Sequence, residues 1–177
     1  MGVTIRRATE DDAEMLSKIA LEIFLDTFGP QNDQRDIEIH AARSYSPQIQ
    51  LREIQDPEKT YLIAEADGVP AGFAMLGAPK SESCHAHEAP VELFRFYVDK
   101  NWHGQGIAQR MMDAVEDVAR SQFAGRTLCL GVWEYNPRAI RFYEKIGFRD
   151  VGGQAYLLGE DLQTDRVMVR EIPSLPR

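Results

Sequence analysis

Leu16, Ile19, Ala20, Ile23 and Phe24 recur at helical spacing and the pattern stops at Gly29-Pro30, which predicts a helix with one face on a core. Val3 to Arg7 before it reads as a short strand, and Thr9 with Asp12 forms a capping-box-like start. A second helical stretch runs from about Asp36 to Tyr45, and Ser46-Pro47 reads as an N-cap followed by proline at the first helical position. The pattern then changes. Tyr61 to Ala66 and Val69 to Leu76 flank Asp67-Gly68 and predict a hairpin with a tight turn. After a polar loop at 79–90, Val91 to Val98 is a third strong strand. Ile107, Met111, Val115, Val118 and Ala119 then describe an amphipathic helix over 106–121, directly after a glycine-rich turn. Thr127 to Trp133 is a buried-type strand, and Asn136-Pro137 opens a helix that Gly147 closes. Ala155–Leu158 and Val167–Ile172 read as the last strands. The order β-α-α-β-β-β-α-β-α-β-β predicts one α+β domain over residues 1–177, built on a mixed, mostly antiparallel sheet.

Composition narrows the function. Hydrophobic residues make up 44% and charged residues 27% of the 177 positions, which excludes a disordered or fibrous chain. The apolar runs are too short for a membrane span and the start has no signal-peptide core, so a cytoplasmic protein is expected. Twenty-eight acidic against 20 basic residues leave a net charge of −8. That balance argues against nucleic-acid phosphates and anionic membranes as partners and favours a cation. Cys84 in a polar loop and Cys129 in an apolar run are read as free thiols, in keeping with a reducing compartment. Cys84, His85, His87 and Glu88 lack spaced partner ligands elsewhere, so no metal is expected and the segment reads as a solvated loop.

His103-Gly104-Gln105-Gly106-Ile107-Ala108 stands between a strand and a helix. Backbone N–H groups and the helix dipole make such a turn an anion site, and the two glycines let the backbone approach phosphate oxygens. A dinucleotide-binding reading fails, because Gln109 stands where the third glycine would be. Downstream, Gly131 to Phe148 carries an Asn…Ala-x-x-Phe-Tyr-x-x-x-Gly-Phe element. With these two parts the chain resembles the GNAT superfamily of acetyl-CoA-dependent N-acetyltransferases, and the element order extends the resemblance over nearly the whole chain. Asp26-Thr27-Phe28, Leu130 to Glu134 and Gln163 to Met168 look like the Pai-type bacterial spermidine/spermine N-acetyltransferases.

The resemblance implies a GNAT fold with splayed central strands. Pantetheine would lie between them on the backbone of Phe96, Tyr97 and Val98, residues 103–108 would hold the pyrophosphate, and Asn136 would bond the pantetheine arm. Asn136 is equally an N-cap before Pro137. Tyr143 is the candidate general acid for the CoA thiolate, since a phenol of pKa about 10 can protonate it. Lys145 stands where it would help neutralise a CoA phosphate, or be solvated. Glu92 is the candidate base, with a partner for Arg95 as its structural alternative. Strict alternation would put Glu92, Phe94 and Phe96 on one strand face and Leu93, Arg95 and Tyr97 on the other. Polyamine acetylases of this fold often carry a second glutamate at the place of Phe94, where this chain departs from them. Asp26, Phe28, Glu92, Glu134 and Tyr156 are the expected acceptor walls, apolar and acidic as suits a cation on a hydrocarbon stem. The expected reaction is direct attack by a primary amine, a polyamine such as spermidine or spermine, on acetyl-CoA in a ternary complex. An amino acid, a protein N-terminus or a drug amine is the same-class alternative, and a non-catalytic acyl-CoA sensor the alternative of another class. A homodimer is compatible with the resemblance.

Overall fold

In the computed structural model, which describes residues 2–175, seven strands form one sheet in the order β1-β2-β3-β4-β5-β7-β6. The strands are β1 Val3–Arg7, β2 Lys59–Ala66, β3 Val69–Gly77, β4 Pro90–Val98, β5 Thr127–Trp133, β6 Arg149–Leu158 and β7 Asp161–Glu171. The helices are α1 Ala13–Phe28, α2 Gln34–Ser44, α3 Pro47–Gln55, α4 Glu82–His85, α5 Ile107–Phe123 and α6 Pro137–Lys145. All pairings are antiparallel except β4 with β5.

Alternation along the strands divides the core in two. Leu62, Ala64 and Leu76 face α5 and α6, whereas Tyr61, Ile63 and Phe73 face α1, α2 and α3. Helix α5 buries Ile107, Met111, Met112, Val115, Val118 and Ala119, a gross hydrophobic gain on the order of 10 kcal/mol. Helix α3 starts where Ser46 accepts a hydrogen bond from the Ile49 amide and Pro47 occupies the first turn. Thr9 and Asp12 form the capping box that leads into α1.

Strands β4 and β5 pair only over Pro90–Glu92 and Thr127–Cys129. Beyond that point they diverge, and β5 pairs instead with β7 along its whole length. The part of β4 after Glu92 therefore has no ladder partner in β5, and its polar backbone groups need another one.

Four sequence expectations are corrected. Alternation along β4 breaks, because Met75 is opposite Arg95 and Leu76 opposite Leu93, leaving Phe94 as an extra residue. Val91, Leu93, Phe96 and Val98 consequently face α5, while Phe94 and Tyr97 pack with α1. Cys84 and Cys129 are not free thiols but form a disulfide, with both residues buried. The pairing also withdraws the thiol argument for a reducing compartment. The loop at 79–90 contains α4, which carries Cys84 to β5. The last two strands are longer than predicted, since polar, glycine-bearing β6 forms the sheet edge and shows no alternation to read.

Candidate active site

The turn after β4 is shaped by Gly104 and Gly106, both at φ +77°. A Cβ at either position would meet no atom within 4 Å, so the glycines supply a left-handed backbone at an open surface. Gly106 caps α5, whose first amides, of Ile107, Ala108 and Gln109, point out of the helix without intrahelical acceptors. His103 donates from Nε2 to the Val98 carbonyl over 2.7 Å and ties the turn to β4. His103, Gly104, Gly106, Ile107 and Ala108 line the cleft that begins here. Gln105 stays outside it and donates back to the Asn101 carbonyl.

The cleft, of about 570 Å³, runs between the diverging strands. Leu93, Phe94, Phe96, Tyr97 and Val98 form one wall, and Leu130, Gly131, Val132 and Trp133 the other. Asn136 caps α6 by accepting the Ala139 amide at Oδ1 over 3.2 Å, and it also lines the cleft. Tyr143 is buried against Phe96, Phe142 and Phe148, with ring centroids 5.5–6.2 Å away. Burial and the nearby Tyr97 push its phenol above the usual tyrosine range, which keeps it protonated as a donor must be. Lys145 and Arg138 bring positive charge to the same cleft.

At the other end the cleft widens into a chamber of rings. Trp133 contacts Phe28 at 5.4 Å, Phe28 contacts Phe24 at 5.1 Å, and Phe24 stacks on His40 at 4.8 Å. Tyr156 meets His40 at 5.9 Å and closes the wall. His40 is pushed down to about 4 by burial and by Arg95 and Arg43, so it is neutral at pH 7. Asp165 lies in this chamber, 8% exposed. Burial, and then repulsion from Glu134, raises its carboxyl to about 6.

Of the other residues named from the sequence, Phe28, Asn136, Tyr143, Lys145 and Tyr156 line this same cleft. Three acidic ones do not line the cleft. Glu92 turns back to the loop before α4, where its Oε2 accepts the Lys80 and Ser81 amides at 2.6 and 2.9 Å. It is not the partner of Arg95, which instead pairs with Glu53 at 2.7 Å. Asp26 is exposed and pairs with Lys100 at 2.9 Å. Glu134 lies outside the lining but close enough to repel Asp165. Asp165 and Trp133 lie in the segments that resemble the Pai-type enzymes but were not named as site residues, and Arg138 was not singled out. The pairing of Trp133 opposite Asp165 across β5 and β7 brings two of them together, and alternation along two strands was the signal available for it.

The acetyltransferase (GNAT) family matches residues 18–148. An uncharacterized N-acetyltransferase encoded in the pepI 3′ region of Lactobacillus delbrueckii subsp. lactis is 27% identical over 171 residues, 97% of this chain and 98% of its own. A spermine/spermidine N(1)-acetyltransferase of Bacillus subtilis is 28% identical over 106 residues, 60% of this chain and 66% of its own. Among solved structures, the PaiA N-acetyltransferase of Thermoplasma acidophilum in complex with coenzyme A superposes with a TM-score of 0.80 at 23% identity, over 97% of this chain and 99% of that one. With its splayed strands, glycine turn and Asn136–Tyr143 helix, the chain belongs to the GNAT family and is an N-acetyltransferase.

Proposed function

We propose that the chain transfers the acetyl group of acetyl-CoA to a primary amine on a hydrocarbon stem, a polyamine of the spermidine and spermine class being the acceptor its relatives suggest. One observation carries the reading: a single cleft joins an anion-binding glycine turn to an aromatic chamber holding a carboxylate. The two ends suit opposite chemistries. At the turn, the free amides of α5 with Arg138 and Lys145 favour phosphate oxygens. At the chamber, rings and Asp165 favour a cation with an apolar stem.

Bound acetyl-CoA supplies an acetyl thioester. The unpaired edge of β4 after Glu92 would hold the pantetheine arm as an added strand, with Asn136 beside it. Tyr143, kept neutral by burial, donates a proton to the departing sulfur. Neither cysteine can carry the acetyl group while the two are joined, so the amine attacks directly.

Thiol release from acetyl-CoA tests the acceptor with spermidine, butylamine and a neutral amino acid, at low and high salt. Spermidine should give the highest kcat/KM, with a value that falls as salt rises. A neutral amino acid or peptide N-terminus that outperforms spermidine would remove the polyamine reading.

A further inference from the structure

Asp165 is buried without a counter-charge. Its carboxyl is set by burial and by Glu134 alone, and no ion pair among the described residues includes it. Trp133, its cross-strand partner, is 8% exposed, and its indole N–H is a buried donor with no partner. A lone buried carboxylate costs several kcal/mol unless something else compensates it. Both residues line one cleft, open to a ligand.

The position is shaped from below as well. Gly131 leaves a notch in the wall of β5: a Cβ there would meet Oδ2 of Asp165 at 2.9 Å and Nε2 of Gln154 at 2.7 Å. Gln154 is fixed at its other end, where Oε1 accepts the Ser83 hydroxyl at 2.5 Å. Gly131 is only two residues past Cys129, the last β5 residue paired with β4. The carboxylate thus reaches the part of the cleft where the strands begin to separate, opposite the bulge at Phe94.

We propose that Asp165 receives the reacting ammonium of the acceptor amine, pairs with it among Phe28, Trp133 and Tyr156, and takes its proton. This rests on the N-acetyltransferase reading above and names the group that the acceptor meets. One N–H proton passes to the carboxylate and the freed nitrogen lone pair forms the N–C bond to the acetyl carbonyl carbon. The C–S bond breaks and the sulfur takes a proton from Tyr143; the second N–H proton leaves the new amide nitrogen and restores Tyr143 through solvent, and Asp165 returns its proton to solvent. Burial acts in opposite senses on the two partners, raising a carboxyl and lowering an ammonium, so it brings their proton affinities together. The other titratable groups facing the chamber do not compete. His40 and Tyr156 are neutral at pH 7, Tyr97 is pushed up to about 12, and Glu134 adds negative charge. Arg95 is held by Glu53.

The test follows amine binding separately from turnover. Butylamine and spermidine are titrated by calorimetry into CoA-saturated wild type, Asp165→Asn and Gly131→Ala, and kcat/KM is measured with acetyl-CoA against pH. Asp165→Asn should keep CoA affinity within about twofold, weaken amine binding at least about tenfold, and lower kcat/KM by about 10²–10³. It should also lose the acid limb near pH 6. Gly131→Ala, which keeps the charge and displaces it, should weaken amine binding in the same direction. Wild-type amine binding in Asp165→Asn overturns the proposal while the transferase reading stands. Amine binding that depends on Asp165 without any turnover supports the site and removes the transferase reading. No amine binding to the wild type overturns both.

Discussion

Tyr143 is surrounded by Phe96, Phe142 and Phe148, and such packing would hold a phenylalanine equally well. Tyr143→Phe should therefore fold normally and bind CoA as the wild type does, yet lower kcat by about 10²–10⁴, because only the proton donor is lost. Isothermal titration beside steady-state rates checks it, and an unchanged kcat would leave the residue as packing. Asp165 gives the converse case, a residue whose chemistry weakens the fold. Its carboxyl sits at about 6 in the folded chain against an ordinary value near 3.9. Between those values the folded state binds more protons than the unfolded one, so stability falls as pH rises from 4 to 6 and then levels off. Asp165→Asn should accordingly be more stable than wild type at pH 7.5, by on the order of 1–3 kcal/mol, with the gain vanishing near pH 4. Thermal melts at the two pH values decide it. The sequence showed Tyr143 and Asn136 because their motif is local, packed into one short helix. Asp165 stood inside the Gln163–Met168 segment, but its place beside Trp133 and Gly131 comes from the pairing of β5 with β7, which no local motif announces.

At the scale of elements, β4 illustrates where a periodic reading stops. Its length and apolar character were plain in the sequence, but one extra residue at Phe94 puts Phe94, Arg95 and Tyr97 on the α1 side. A bulge has no compositional mark, whereas the Asp67-Gly68 hairpin and the Ser46-Pro47 helix start do. The resemblance made Glu92 the candidate base on this strand, but two backbone amides of the loop before α4 claim its carboxylate. That loop is held a second time by the Cys84–Cys129 disulfide, which closes a span of 45 residues. Polar neighbours around Cys84 concealed it, because four residues of helix are enough to turn one side chain inward. Chain entropy gives the cross-link about 4 kcal/mol, before native-state effects. Cys84→Ala paired with Cys129→Ala should lower stability by about 2–4 kcal/mol in urea unfolding. It should also weaken amine acceptance, since α4 carries the Ser83 that fixes Gln154 beside Asp165. A variant with unchanged midpoint and kcat/KM would leave the cross-link without a part in either.

Over the whole molecule, one sheet opening joins two unlike faces, and the proposed function assigns one substrate to each. The α5–α6 side provides the glycine turn, Asn136 and Tyr143, and the α1–α2 side provides the ring chamber. Element order and the two motifs made this architecture legible from the sequence, because the strand–turn–helix unit and the α6 motif fix where the gap must open. No helix among the described residues is long and apolar enough to cross a membrane, and the net charge of −8 suits capture of cations. The central claim is that donor and acceptor meet in this cleft with no acetylated enzyme between them. Initial rates of thiol release, with acetyl-CoA varied at several fixed concentrations of the best amine, test it most directly. Double-reciprocal lines that intersect are the expected result, whereas parallel lines would show that the acetyl group passes through the protein and would contradict the account.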